Sequence, residues 1–264
     1  MHRGRGPPGG FRGGGGGGGG WRGGPPMGRG RGPSPSGRRP PSRERNGGSN
    51  GGGSPKYKLT YFNLKARGEA IRFILHYSGV PFEDDRIEPA DWPKHKMDAK
   101  RFPWAQMPVL DIGDGVLLCQ ARAIARYLGR KYGLAGANDL EAAQIDAIAD
   151  GLEDLIGVLA EWVNYFTVQD FKGAEAEKRR LDKAGTIETA LSRFEKFLKK
   201  NPAKWLVGNK VSWVDFSVAN WMGVYSGLDE GFLDGFPELQ AHYKRVHSLP
   251  ALQDYIETRP RTFG

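Results

Sequence analysis

The chain has 264 residues, a formal net charge of +9, and 38% hydrophobic residues, which allows one or two domains with a real core. Its single cysteine, Cys119, excludes an intramolecular disulfide. No stretch of about 18 apolar residues predicts a membrane span, and the first ten residues lack the apolar core of a secretory signal. We therefore expect a soluble, cytoplasmic protein.

Residues 1–55 form a Gly-, Arg- and Pro-rich tail. Positions 1–54 hold 23 of the 40 glycines, ten basic residues and one acidic residue, so the net charge belongs to this segment alone. Such a composition buries too little apolar surface to offset chain entropy, which predicts disorder. Repeated Arg-Gly steps with Phe11 and Trp21 suit phosphate contacts and base stacking, so RNA or an acidic partner is one interpretation. A flexible leader that keeps the domain soluble is the other.

The region that follows alternates strand and helix patterns. Residues 57–62 alternate and are rich in aromatic residues, which predicts a strand, whereas apolar residues recur at helical spacing after Arg67. An irregular stretch covers residues 91–103. The predicted elements are, in chain order, strand 57–62, helix 67–77, strand 82–87, strand 107–110, strand 116–118 and helix 120–132. Counting the irregular stretch as helical, the order is β-α-β-α-β-β-α, the pattern of a thioredoxin-like α/β layer.

From residue 139 onward only helical patterns occur. They predict helices at 141–166, 174–199, 212–226, 237–247 and 250–258. Ser212 followed by Asp215 fits a capping box at the start of one of them. The sequence therefore predicts three parts: the tail at 1–55, an α/β domain at 56–135 and an all-helical domain at 136–264.

Several motifs, in order and at matching spacing, resemble the sigma-class glutathione transferases, a class that includes glutathione-dependent prostaglandin D synthases and lens S-crystallins. The resemblance covers residues 56–264 and none of the tail. The motifs that carry it are YKLTYFN at 57–63, ADW at 90–92, QMPVL at 106–110, QARAIARYL at 120–128, WLVG at 205–208 and WVDF at 213–216. It implies a thioredoxin-like domain followed by an all-helical domain, and a site for glutathione.

The resemblance implies that Tyr61 activates the glutathione thiol. A free thiol has a pKa near about 8.5, and a hydroxyl that donates to the sulfur favours the nucleophilic thiolate. By the same match, Arg67 supports the site electrostatically. Without the resemblance, Tyr61 would be a tyrosine packed at a strand end and Arg67 a charged residue at a helix start.

The remaining glutathione contacts also follow from the resemblance. Pro108 matches a cis proline, which would present the backbone of Met107 to the ligand like an added strand. Asp154 matches an acidic residue that reaches the ligand in the partner subunit, which implies a homodimer. The residues that match contacts to the two ends of glutathione are Trp92, Lys96, Gln106 and Gln120. The alternatives for Trp92 and Lys96 are a packed indole and a solvated amine.

Ala121 departs from the family pattern, which usually has serine there. The backbone N–H that holds the γ-glutamyl carboxylate remains, at a helix N-terminus suited to an anion, but the hydroxyl is lost. Weaker glutathione binding is therefore expected. Arg122 is expected to point into solvent, and the alternative is that it partly compensates for the lost hydroxyl. Cys119 is expected to be a packed residue at a strand end rather than a redox centre.

Asp150, Glu153 and Asp154 form an acidic cluster near the expected dimer cleft. In some prostaglandin synthases of this class a divalent cation binds at comparable positions, and hard cations prefer oxygen ligands. A divalent cation near Asp150 and Glu153 is one expectation, and a solvated acidic helix face is the alternative.

The predicted function is a glutathione transferase that conjugates glutathione to small hydrophobic electrophiles, or uses it to isomerise or reduce a lipid peroxide. Ala121 and the tail motivate two alternatives. One is a non-catalytic structural or binding protein of this fold, as S-crystallins are. The other is an RNA-associated factor that carries the domain as cargo.

Overall fold

A computed structural model describes residues 57–262, so the tail and its expected partners lie outside the described residues. The first strand, β1 (Tyr57–Phe62), leads into helix α1 (Ala66–Tyr77). The predicted apolar positions of α1, including Ile71 and Ile74, are buried against the sheet and the helices that follow. Strand β2 (Phe82–Ile87) comes next. These three elements agree with the predicted pattern.

The four strands form one sheet in the order β2-β1-β3-β4, where β3 is Val109–Asp111 and β4 is Leu117–Cys119. Strand β1 pairs with β2 in parallel and with β3 antiparallel. The stretch expected to be irregular contains a single helical turn, α2 (Trp92–His95). This turn completes the β-α-β-α-β-β-α order with α3 (Ala121–Lys131).

The rest of the described chain is helical, and none of its helices is long and apolar enough to cross a membrane. The helices are α4 (Asp139–Val158), α5 (Ala160–Thr167), α6 (Phe171–Lys183), α7 (Thr186–Lys200), α8 (Trp213–Leu228), α9 (Pro237–His247) and α10 (Gln253–Thr258). The architecture is therefore a thioredoxin-like layer followed by a helical part.

Two of the predicted helices were each wrong in extent, because each is divided in two. The prediction at 141–166 covers α4 and α5, which separate where the backbone of Leu159 leaves helical geometry at φ −89° and ψ 0°. The prediction at 174–199 covers α6 and α7. Gly185 adopts a left-handed φ of +64° between them, a conformation that ends helices and that glycine tolerates best. Apolar periodicity continues across both breaks, so it did not reveal them.

The predicted capping box at the start of α8 is confirmed. The Ser212 backbone N–H and hydroxyl both donate to Asp215 Oδ2 at 2.7 Å. The other carboxylate oxygen of Asp215 accepts the Leu206 N–H and lies 2.9 Å from His242 Nε2. Asp215 is buried, and it therefore ties the preceding loop and α9 to the start of α8.

Helix α8 packs closely on the sheet layer. A Cβ atom on Gly129, in α3, would lie 2.5 Å from Cδ1 of the Trp213 ring, so only glycine permits this approach. Trp213 is buried in a core that extends from β1 and α1 through α4 to α10. This continuous core fixes α8 against α1 and α3, beside the loop that joins β1 to α1.

A buried ionic network joins α1 to the end of the chain. Arg72 is 0% exposed and Glu69 is 1% exposed. Arg72 donates to Glu69 at 3.1 Å and to Asp84 at 3.0 Å. Glu69 also accepts hydrogen bonds from Tyr255 Oη at 2.9 Å and Arg259 Nη1 at 2.6 Å. The network anchors α10 on α1.

Candidate functional site

Tyr61 lies next to last in β1 and is 4% exposed. Its hydroxyl oxygen accepts the backbone N–H of Arg67 at 3.2 Å, and in the described region the hydroxyl donates no hydrogen bond. A Cβ on Gly68 would lie 2.7 Å from Tyr61 Cγ, so the ring sits directly against the backbone of α1. Burial raises the pKa of the Tyr61 hydroxyl, and the Arg67 N–H offsets only part of that rise. The phenol therefore stays protonated at neutral pH, and its O–H is available to donate a hydrogen bond.

Arg67 and Glu153 form a bidentate ion pair between α1 and α4. Arg67 Nη1 donates to Glu153 at 2.9 Å and Nη2 at 2.5 Å. The Glu153 hydrogen bond raises the pKa of Arg67. Burial tends to raise the pKa of Glu153, but the bond and charge of Arg67 outweigh it, so this pKa lies below its ordinary value. Both groups are therefore charged at neutral pH.

A cavity of about 410 Å³ opens beside this ion pair. Of the ten predicted site residues, eight line it: Arg67, Trp92, Lys96, Gln106, Met107, Pro108, Gln120 and Ala121. Phe62, Ala105 and Glu153 complete its wall. The segment before β3, the turn α2 and the start of α3 thus bring predicted site residues from three motifs to one place. The peptide bond before Pro108 is cis, as expected.

The polar groups of the cavity are held in position by their neighbours. Gln120 Nε2 donates to Gln106 Oε1 at 3.2 Å. Trp92 packs edge-on against Phe62 and Phe102, with ring centroids 5.8 and 4.9 Å apart. Ala121 is the first residue of α3, where free backbone N–H groups favour an anion. The cavity therefore combines cations, amides and a helix N-terminus.

Two predicted residues do not line this cavity. Tyr61 is buried, although its chain neighbour Phe62 and its hydrogen-bond partner Arg67 belong to the wall. Asp154 is an exposed residue of α4 and has no ion pair within residues 57–262. Its expected role in a partner subunit stays a prediction.

The Arg122 side chain is 41% exposed, in line with the expectation, but it also contacts α4. Its guanidinium bonds to Asp150 and lies 3.8 Å from Glu153, because the carboxylates of α4 face the start of α3. Two members of the acidic cluster, Asp150 and Glu153, are thus paired with Arg122 and Arg67. In the part of the chain described, no group of three or more His, Cys, Asp or Glu residues is arranged to hold a metal ion, so the expected divalent cation lacks support.

Cys119 ends β4 as a half-buried residue whose thiol pKa is raised by burial, which fits the expected packing role. Sequence reasoning placed Glu153 only in the cation cluster and missed its bond to Arg67. It also missed Asn220 of α8, whose side chain bonds to the backbone at Ala66. No local pattern marks Asn220, because its partner lies 154 residues away.

Comparisons with known proteins agree with this geometry. The family model for the glutathione S-transferase N-terminal domain matches residues 57–130, and that for the C-terminal domain matches residues 157–259. Glutathione S-transferase 1 of Ascaris suum is 36% identical over 209 residues, which cover 79% of this chain and 98% of the relative. Hematopoietic prostaglandin D synthase of Gallus gallus is 38% identical over 208 residues, with the same coverage.

A solved structure leads to the same assignment. The crystal structure of the glutathione S-transferase from Ascaris lumbricoides matches with a TM-score of 0.69 and 36% identity, covering 79% of this chain and 99% of that chain. Relatives of this identity are matched over nearly their whole length, and both halves of the fold are included. The chain therefore belongs to the glutathione S-transferase family.

Proposed function

We propose that this transferase activates the thiol of glutathione through Tyr61, for conjugation to hydrophobic electrophiles or for isomerisation or reduction of a lipid peroxide. One observation carries the assignment. The Tyr61 hydroxyl oxygen accepts a hydrogen bond from Arg67 N–H, and its own O–H remains available to donate, beside a cavity with cationic groups. Relatives named as glutathione S-transferases and as prostaglandin D synthases support both reaction types.

The chemistry follows from the phenol. Glutathione's thiol loses its proton to solvent, and the Tyr61 hydroxyl then donates to the thiolate sulfur and stabilises its charge. Arg67 adds positive charge near the same place. In conjugation, the thiolate sulfur forms a bond to the electrophilic carbon, and the leaving group departs with its electron pair. Because burial raises the pKa of Tyr61, the phenol remains a donor throughout.

Glutathione is proposed to lie along the cavity with its cysteinyl unit beside the backbone of Met107 and Pro108. Lys96 and Trp92 contact the glycyl end, and the two bonded amides, Gln106 and Gln120, contact the γ-glutamyl end. Support for this placement comes from the shared cavity and the bond between the two amides. The γ-glutamyl carboxylate lies at the N-terminus of α3, on the N–H of Ala121.

Restoring a hydroxyl at residue 121 is expected to tighten glutathione binding. The Ala121→Ser variant offers the carboxylate a second donor, and a hydrogen bond to a charged group contributes about 1.5–3 kcal/mol, which corresponds to roughly 10- to 100-fold in Kd. Isothermal titration calorimetry with glutathione measures the change. Ala123→Ser, on the same helix but not in the cavity wall, is the matched control. An unchanged Kd in Ala121→Ser would place the carboxylate elsewhere.

The same calorimetric titration with glutathione distinguishes a glutathione transferase from a non-catalytic protein of this fold. A wild-type protein that gives no heat with millimolar glutathione would favour a non-catalytic binding or structural protein of this fold. Measurable binding with turnover of a chromogenic electrophile supports the transferase.

We further propose a sigma-class homodimer with a domain boundary at residues 135 and 136. Asp154, exposed and without an ion pair among the described residues, would complete the site of the partner subunit at the ligand's amino group. Light scattering in solution is expected to give twice the chain mass of 29.0 kDa. In a dimer, Asp154→Asn should weaken glutathione binding without changing that mass. A monomer with full glutathione affinity would contradict the proposal.

A further inference from the structure

The peptide group between Ala66 and Arg67 is hydrogen-bonded at both of its polar atoms. Its carbonyl oxygen accepts Asn220 Nδ2 at 2.8 Å. Its N–H donates to the Tyr61 hydroxyl oxygen at 3.2 Å. One planar group therefore connects a side chain of α8 to the phenol at the end of β1.

Asn220 is fixed in place by the core. It is 4% exposed, and its neighbours on α8, including Ala219 and Trp221, are buried. A carbonyl oxygen only accepts hydrogen bonds, so the side-chain amide must turn its NH₂ group towards Ala66. A buried amide oriented in this way is a defined donor.

The backbone at Ala66 needs such a contact. Its φ of +29° lies in the left-handed region, where the Cβ of any residue other than glycine is disfavoured. A conformation of this kind persists when surrounding contacts hold it. The bond from Asn220 is one such contact, and it fixes the direction in which the Arg67 N–H points.

The two hydrogen bonds also reinforce each other. A peptide group whose carbonyl accepts a hydrogen bond is polarised, and its N–H becomes a stronger donor. The Arg67 N–H withdraws electron density from the Tyr61 oxygen and favours release of the phenol proton towards an acceptor. A stronger bond at Ala66 therefore makes Tyr61 a better donor to sulfur.

We propose that Asn220 is a positioning residue for Tyr61, and that it sets the acidity of bound glutathione through the Ala66–Arg67 peptide. The inference rests on the proposed function, in which Tyr61 donates to the thiolate. It assigns part of the catalytic geometry to a residue of the helical part of the chain, which touches neither the sulfur nor the cavity wall.

The test is the thiol pKa of bound glutathione, followed by thiolate ultraviolet absorbance, in Asn220→Leu and Asn220→Ala. The leucine variant keeps the volume of the side chain, and the alanine variant serves if leucine does not fold. We expect the thiol pKa to rise by about 0.5–1, and kcat/KM at neutral pH to fall about 3- to 10-fold. The Kd for glutathione should stay unchanged at a pH low enough for the bound thiol to be protonated, because the variant affects only the thiolate form. Ser217→Ala, three residues earlier on α8, is the matched control, because among residues 57–262 the Ser217 hydroxyl bonds only to Trp213 of its own helix.

A double-mutant cycle shows whether Asn220 acts through Tyr61. In a Tyr61→Phe background, replacing Asn220 should produce no further rise in the thiol pKa. The same rise in both backgrounds would overturn the proposal, as would an unchanged thiol pKa in the Asn220 variants. If wild-type protein does not lower the thiol pKa at all, the proposed function itself fails, and the two failures are distinguishable.

Discussion

Replacing Tyr61 with phenylalanine is expected to lower kcat/KM for a chromogenic electrophile by up to about 30-fold at neutral pH, where a thiol of pKa about 8.5 is only about 3% ionised. The substitution removes the hydroxyl that would stabilise the thiolate and leaves the buried ring against Gly68. Without that donor, the thiol of bound glutathione should return towards its ordinary pKa of about 8.5. Initial rates across pH measure both effects.

The direction of the pH dependence is part of this prediction. Wild-type activity should reach its plateau at lower pH than the activity of Tyr61→Phe, because Tyr61 favours the thiolate. The variant should recover part of the difference as pH rises through the ordinary thiol pKa, about 8.5. The burial-raised pKa of Tyr61 keeps the wild-type donor protonated through this range.

A matched control removes a hydroxyl elsewhere. Tyr127, on α3, accepts a long bond of 3.4 Å from Lys131, its one side-chain hydrogen bond in the described part of the chain, and does not line the cavity. Tyr127→Phe should keep wild-type rates. Equal activity in Tyr61→Phe and wild type would contradict the role assigned to Tyr61, and equal losses in both variants would show that the effect is not specific to the site.

Much of the fold was predictable because it rests on local periodicity. The alternation in residues 57–62 and the helical spacing after Arg67 give β1 and α1, and the capping box at Ser212 marks the start of α8. The breaks at Leu159 and Gly185 were not predicted, since the apolar pattern runs on through both. A single glycine is common in sequences, and it divides a helix only where the tertiary packing stabilises its left-handed conformation, as at Gly185.

The site was predictable to the extent that motifs carry it. Pro108, Gln120 and Trp92 belong to contiguous patterns, and the fold brings them to one cavity. The contacts of Glu153 and Asn220 join residues 86 and 154 positions apart, so only the packing of α4 and α8 on the sheet layer reveals them. Hydrogen bonds between residues so far apart in the chain produce no recognisable residue spacing in the sequence.

The buried network around Glu69 gives the largest expected effect on stability. Glu69→Ala should lower the free energy of unfolding by about 3 kcal/mol or more, since it removes one of two carboxylates from the fully buried Arg72. Tyr255 and Arg259 lose their acceptor at the same time. Urea unfolding of the wild type and the variant, analysed with a common m value, measures the difference in the free energy of unfolding.

The reason that this effect should be large is burial, and an exposed ion pair tests that reason. Arg179 and Glu175 form an i, i+4 pair on α6 in which both side chains are about two-thirds exposed or more, at 71% and 67%. Glu175→Ala should cost less than about 1 kcal/mol, because water screens both charges. If Glu69→Ala costs no more than Glu175→Ala, the network does not anchor α10 on α1. Arg72 also donates to the carbonyl oxygens of Phe62 and Leu64, which follow Tyr61 within three residues. The loss of Glu69 should therefore also affect the loop between β1 and α1.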